Sequence, residues 1–241
     1  MQIQTIILQN VSHFFNSTAT KRLTILDNES IRFEKGRMYA ITGHSGVGKS
    51  TVLHILGGLE TPSAGTVLVN DHSWAQMTDA QRARIRSNSL GIILQQPYLL
   101  PDLTVLENCM IKGLIAQLPV ADCMARAHEL LALVGLAAHA EARLYTLSGG
   151  QQQRLAIARA LYGKPDFILA DEPTSHLDAH TKEGVIALLV HAVKQVGAGL
   201  IINTHDEAIF SCMDQVYTLH NGHLTATSDT RKHHEHPQIC S

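Results

Sequence analysis

Apolar residues fall in short bursts along the chain, and the spacing inside each burst assigns an element. Ile3, Ile6 and Ile7, then residues 23–26, then Ile31 and Phe33 are separated by polar residues and predict strands joined by turns. Residues 38–42 predict a buried strand running straight into a glycine-rich segment, 43–50. Behind it, residues 51–56 have helical spacing and stop at Gly57-Gly58. Residues 67–69 predict another strand, and Thr78 with Gln81 makes a capping box for a short basic helix through Arg86. Residues 90–94 predict a buried strand. The pattern then turns mostly helical, from a second capping box at Thr104 and Glu107 to Leu136. Ser148-Gly149-Gly150 opens a helix through Leu161, residues 167–170 predict a strand ending in two carboxylates, and 181–196 predict a helix. After a strand at 200–203, Asn221-Gly222 between 216–219 and 224–226 predicts a hairpin with a primed turn. This alternation implies a mostly parallel sheet with an antiparallel portion.

Charge narrows what such a fold could serve. In 241 residues, 19 Lys and Arg against 21 Asp and Glu leave −2 with the histidines neutral. That balance argues against a protein that grips nucleic acid through its phosphates, which needs a basic footprint. With 45% hydrophobic and 17% charged residues, the chain can build a core. No apolar run approaches the roughly 18 to 20 residues that cross a bilayer, and the first ten residues lack a signal peptide's basic and apolar regions. Service to a membrane is therefore expected from the cytoplasmic side, through a partner. Cys109, Cys123, Cys212 and Cys240 show neither a C-x-x-C pair nor zinc-ribbon spacing. His233, His234, His236 and Cys240 offer metal-ligating chemistry, but their place at a chain end reads as a solvated tail.

The glycine-rich segment carries the first chemistry. Gly43, His44, Ser45, Gly46, Val47, Gly48, Lys49 and Ser50 match G-x-x-x-x-G-K-[ST], between a predicted strand and a helix starting near Thr51. Glycines let the backbone curl so that its N–H groups point at phosphate oxygens. Lys49 adds a point charge at the β/γ-phosphates, and Ser50 a hydroxyl for Mg²⁺. Alone, such a loop leaves GTPases, kinases and motor ATPases open, although no Asn-Lys-x-Asp guanine motif is present. The strand at 167–170 narrows the choice: Asp171 at its end suits Mg²⁺ through water, and Glu172, facing elsewhere, suits a general base for an attacking water. Leu147, Ser148, Gly149, Gly150 and Gln151 form a second helix start with open backbone N–H groups and no lysine, which suggests an anion site for a nucleotide held by another copy.

Loop, second helix start and carboxylate strand together resemble the ATP-binding cassette ATPases, the nucleotide-binding subunits of ABC transporters, over most of the chain. The resemblance implies a P-loop NTPase cassette of α/β class, with a mixed sheet core, an antiparallel β portion and an inserted α-helical subdomain. It divides the single domain into a core of about 1–95 and 163–227, a helical part of about 96–162, and a flexible tail at 228–241. It implies two copies stacked head to tail around two ATP molecules with Mg²⁺. Phe15, with Phe14 as the alternative, matches the aromatic that stacks on adenine. Gln95, with Gln96 as the alternate register, matches the glutamine at Mg²⁺ and the attacking water. Ser175-His176-Leu177-Asp178 matches the loop at the dimer interface, and His205 the histidine at the γ-phosphate. His176 stands where the family usually has a small residue, and no proline precedes the second helix start.

Residues 56–65 and 95–108 resemble the branch of lipoprotein-releasing, macrolide-exporting and cell-division ATPases. The second segment carries Tyr98, Leu99 and Leu100, which would line a groove for a membrane subunit. The resemblance thus implies ATP hydrolysis at the cytoplasmic face of the inner membrane, with an integral membrane subunit and a second copy as partners and no nucleic acid. The alternatives are the ATPase of an amino-acid-type importer and a soluble ABC ATPase outside transport.

Overall fold

A computed structural model describes residues 2–18 and 21–227; His233, His234, His236 and Cys240 lie outside them. The chain begins with two strands of 14 residues each, β1 (Thr5–Thr18) and β2 (Lys21–Glu34), paired antiparallel. The sequence pattern had residues 23–26 and 31–33 on separate strands, but β2 contains both. The polar residues between them form an irregularity inside the ladder rather than a turn. Asn10 and Asn28 both take left-handed backbone conformations there, and Asn10 Nδ2 donates to Asn28 Oδ1 across the strands.

From β3 (Met38–Thr42) the chain enters α1 (Lys49–Leu56), then β4 (Ala64–Val69), β5 (His72–Ser73), α2 (Asp79–Ser89) and β6 (Leu90–Ile93). Three helices follow: α3 (Val105–Ile115), α4 (Val120–Leu133) and α5 (Gly149–Leu161). The chain then forms β7 (Phe167–Asp171), α6 (Ala179–Val196), β8 (Gly199–Asn203), β9 (Gln215–His220) and β10 (His223–Ala226). One sheet is antiparallel with strand order β2-β1-β4-β5; the other runs β10-β9-β3-β8-β7-β6, parallel except for β10. The two capping boxes read from the sequence, at Thr78 and Thr104, close as reciprocal hydrogen bonds, and Ser148 with Gln151 forms a third in the structure.

The parallel sheet is buried on both faces, and strand alternation sorts its residues. Tyr39, Ile41, Leu169 and Ile201 face α1 and the antiparallel sheet, packing with Phe33, Val52 and Leu56. Ala40, Ile168, Leu200 and Ile202 face the opposite side, packing with Leu155, Val185 and Leu189 of α5 and α6. At about 1.5–3 kcal/mol for each fully buried large aliphatic side chain, these two layers hold the sheet rigid. Its carboxyl edge, where parallel strands of open α/β sheets bind ligands, is therefore a fixed platform. Thr42, Asp171 and Asn203 all end strands at that edge.

Candidate phosphate-binding and hydrolytic site

Between β3 and α1 the loop turns through three glycines of positive φ: Gly43 (143°), Gly46 (77°) and Gly48 (110°). Gly48 is the residue just before α1, and a Cβ there would lie 2.4 Å from Ile25 Cγ2 on β2. Only glycine permits both that backbone and that approach. His44, Ser45 and Gly46 are exposed, Val47 is half-buried, and Ser50 and Thr51 stand in the first turn of α1. Lys49 is buried, yet its ammonium is satisfied: it donates to Gly43 O (3.0 Å) and His44 O (3.3 Å).

Two further groups meet Lys49 there. Glu172 Oε1 lies 3.3 Å from Lys49 Nζ, and His205 Nε2 lies 2.8 Å from it and 3.0 Å from Glu172 Oε1. A single ring nitrogen cannot serve both contacts at once. Unprotonated, Nε2 accepts from Lys49; protonated, it donates to Glu172. Glu172 reaches this place because it takes φ +41° directly after β7, which turns its carboxylate away from that of Asp171. A left-handed glutamate costs about 1–3 kcal/mol, and bonds between Glu172 N and Asn203 O (3.0 Å) and between Ser175 N and Glu172 O (3.2 Å) hold the turn.

Asp171 is buried, and its Oδ1 accepts from Asn203 Nδ2 at 2.8 Å. Asn203, fully buried at the end of β8, was missed by sequence reasoning; the signal was a polar residue closing an otherwise apolar strand. Gln95 is exposed and follows two residues after Ile93, whose register partner Ala170 precedes Asp171. The oxygens of Ser50, Gln95 and Asp171 suit a hard cation such as Mg²⁺, which keeps several waters and completes its shell with substrate phosphates. With one Asp171 oxygen bonded to Asn203 and the other not so used, this donor set fits that mode of binding. Among the described residues, no cluster of three or more His, Cys, Asp or Glu could hold a metal.

Phe15 is 43% exposed, and its ring meets the edge of His13 at 4.8 Å. It pairs with Leu23, two residues along β2 from the Ile25 that backs Gly48, so it stands on the loop's side of the hairpin. The second helix start is elsewhere. Ser148 caps α5, with Leu147 buried behind it and Gln151 closing the box. Gly150 is set by packing: a Cβ would come within 2.3 Å of Thr181 Cγ2. The nearest atoms to Gly149 belong to Leu177 and His176, so the 175–178 loop lies against this helix start. Asp178 caps α6, and hydrogen bonds from Thr181 hold its carboxyl below the usual range. Ser148, Gly150 and Gln151 open onto a cleft of about 610 Å³, also lined by Arg154, His180 and Thr181 and by none of residues 43–50. Lys49, Glu172 and His205 are brought together; the 147–151 segment opens instead onto the cleft beside Arg154, His180 and Thr181.

Tyr98 and Leu100 are exposed (67% and 45%), whereas Leu99 is half-buried and packs on the core. Arg159 of α5 donates to the carbonyls of Pro97 and Tyr98 and so fixes this segment's backbone, a long-range tie with no sequence signal. Among the described residues, no helix is long and apolar enough to cross a membrane.

The chain is similar to known proteins in both sequence and fold. A family model described as ABC transporter matches residues 26–175. The chain is 41% identical over 207 residues to the lipoprotein-releasing system ATP-binding protein LolD of Legionella pneumophila (strain Paris), covering 86% of this chain and 91% of that one. To LolD of Nitrobacter winogradskyi it is 40% identical over 220 residues, 91% and 94% of the two chains. Among solved structures, the dimeric ATP-binding cassette MJ0796 in a post-hydrolysis state with ADP and Pi superposes with a TM-score of 0.83 at 33% identity. That match covers 92% of this chain and 97% of that one.

Proposed function

The chain belongs to the ABC transporter family as an ATP-binding, ATP-hydrolysing subunit, and on that premise we propose that two copies drive an integral membrane partner in lipoprotein release. The observation that carries the hydrolytic part is the meeting of Glu172 and His205 at the Lys49 ammonium. Identity of about 40% to LolD proteins across nine-tenths of their length supports the lipoprotein-releasing branch. The chain acts peripherally at the cytoplasmic face of the inner membrane. Its core is about 1–95 and 163–227, and its helical part about 96–162.

In this reading the N–H groups of 43–51 and the Lys49 ammonium hold the β- and γ-phosphates, and Phe15 stacks on the adenine. The γ-phosphate takes over Lys49, which frees the Glu172 carboxylate to accept a proton from the attacking water. His205 donates to a γ-phosphate oxygen. Ser50 and Gln95, with Asp171 through water, would hold Mg²⁺, which would supply charge neutralisation at the phosphate oxygens. Leu147, Ser148, Gly149, Gly150 and Gln151 of one copy close on the nucleotide of the other, with Asp178 at the junction. That arrangement accounts for a segment whose cleft is lined by none of residues 43–50, and the similar MJ0796 cassette is dimeric. Tyr98 and Leu100 offer the membrane subunit an apolar surface.

The test is Glu172→Gln. ATP binding is expected to persist while turnover falls about 10²–10⁴-fold, the usual share of a general base, and the ATP-bound dimer should accumulate on size exclusion. Wild-type turnover in this variant would refute the assignment. For the branch, the chain and its membrane subunits are reconstituted in vesicles carrying a lipoprotein. Absence of ATP-dependent release would refute lipoprotein release while leaving hydrolysis untouched.

A further inference from the structure

Residue His205 is exposed on a short segment after β8, and the residues on either side of it are anchored. Before it, Thr204 N donates to Ile41 O at 3.2 Å, fixing the chain beside β3. After it, Asp206 N donates to Thr204 Oγ1 (3.0 Å), and Asp206 Oδ1 accepts from Ala208 N (3.2 Å). Those last two bonds give the turn its shape without deciding where it sits. Ile209 is buried in the core three residues further on, and Asp206 Oδ2 adds a side-chain tie to a helix: it lies 3.1 Å from Lys182 Nζ on α6. Neither partner is fully exposed, with side chains 32% and 19% accessible. The pair is therefore screened less than an ordinary surface ion pair.

Local preference does not explain a lysine at this position. Residue 182 is the fourth residue of α6, close to an N-terminus whose dipole opposes positive charge. Its compensation is tertiary, from Asp206. The same first turn of α6 is capped by Asp178 and leads back to the loop lying against Gly149.

We propose that Lys182 is a positioning residue for hydrolysis. Through Asp206 it fixes the segment that carries His205 onto α6, so that the imidazole stays within reach of Lys49 and Glu172. The proposal rests on the reading of His205 as a γ-phosphate contact. Misplacement of a reacting group by about 1 Å can cost on the order of 10²-fold in rate, so losing this tie registers in turnover before it registers in binding.

The test measures ATP turnover, ATP affinity and thermal stability of the full chain in three variants. Lys182→Met keeps the side-chain length without the charge, and Lys182→Arg restores the charge. Asp206→Asn keeps an oxygen for Ala208 N while weakening the pair. Lys182→Met and Asp206→Asn are expected to lower kcat about 3- to 30-fold, in the range of coupled residues. KM for ATP should stay within about twofold, Tm within about 2 °C, and Lys182→Arg should recover most of the rate. In single-turnover measurements on a His205→Ala background, Lys182→Met should cause no further loss. Wild-type kcat in Lys182→Met would overturn the proposal. So would a loss that persists in full without His205, or one that tracks a fall in Tm and is not rescued by arginine. If His205→Ala itself turned over at the wild-type rate, the γ-phosphate reading would fall first and this proposal with it.

Discussion

Lys112 on α3 is a cation in the wrong medium, and replacing it tests the electrostatics under the Gln95 segment. Its ammonium donates to Leu90 O at 3.2 Å, at the start of β6. Burial, and after it the nearby Arg159 guanidinium, pushes Lys112 down from the ordinary 10.5 to about 8. At 1.36 kcal/mol per tenfold, that difference disfavours the charged form in the folded state by about 3 kcal/mol. Lys112→Met removes the charge with little change in stem length and forfeits one hydrogen bond from a charged donor, worth about 1.5–3 kcal/mol. The variant should therefore be more stable than wild type by about 1 kcal/mol at pH 7. The pH dependence fixes the cause. Below pH 8 the group is charged both folded and unfolded, and the full penalty acts. Between about 8 and 10.5 the unfolded chain binds the proton more tightly, so wild-type stability rises with pH relative to the variant and the gap closes. Urea unfolding of both proteins at pH 7, 8, 9 and 10, compared at equal m-values, measures this. A variant less stable than wild type at pH 7, or a difference flat across the series, would refute the reasoning.

Two further outcomes follow from the loop and the second helix start. Gly48→Ala should cost about 2–5 kcal/mol of stability, since its Cβ would press on the buried Ile25 at 2.4 Å while the backbone is held at φ +110°; a melting curve matching wild type would contradict it. Lys49→Ala should weaken ATP binding in the isolated chain, whereas Ser148→Arg, outside that loop, should leave monomer binding intact and block dimer closure. Mixing the two inactive variants should restore partial hydrolysis through dimers with one undamaged site, and equal loss of monomer affinity in both would speak against the two-copy arrangement.

Legibility in the sequence followed the distance between interacting residues. A phosphate-binding loop must be contiguous, because successive backbone N–H groups make the cradle; a pattern such as 43–50 is visible in sequence for that reason. Capping boxes join residues three apart, and those at Thr78 and Thr104 close as their spacing predicts. The hairpin of β1 and β2 was misread locally, since Asn28 looks like a turn unless Asn10 is known to lie opposite. Glycine at 150 read as an open helix start, although its Cβ would strike Thr181 on a different helix.

The contacts that gather Lys49, Glu172 and His205 had no such signal, because they join strand ends distant in sequence. Lys49 and His205 are 156 residues apart, and Asn203 reaches Asp171 across 32. What the sequence does encode is the set of apolar strands whose parallel order forces those ends to one edge. Once β3, β8 and β7 lie side by side, the residues following them must meet, whatever their identity. Chemistry is then decided by which polar residues stand at or just past each strand end: the loop after Thr42, Asp171 and Glu172 after Ala170, and His205 after Thr204. The fine setting of those groups falls to residues one step further away, such as Asn203 against Asp171 and Arg159 against the backbone after Gln95. These supporting side chains look ordinary in sequence because their partners are chosen by the fold. Substituting them while keeping every motif intact should therefore impair turnover more than ATP binding.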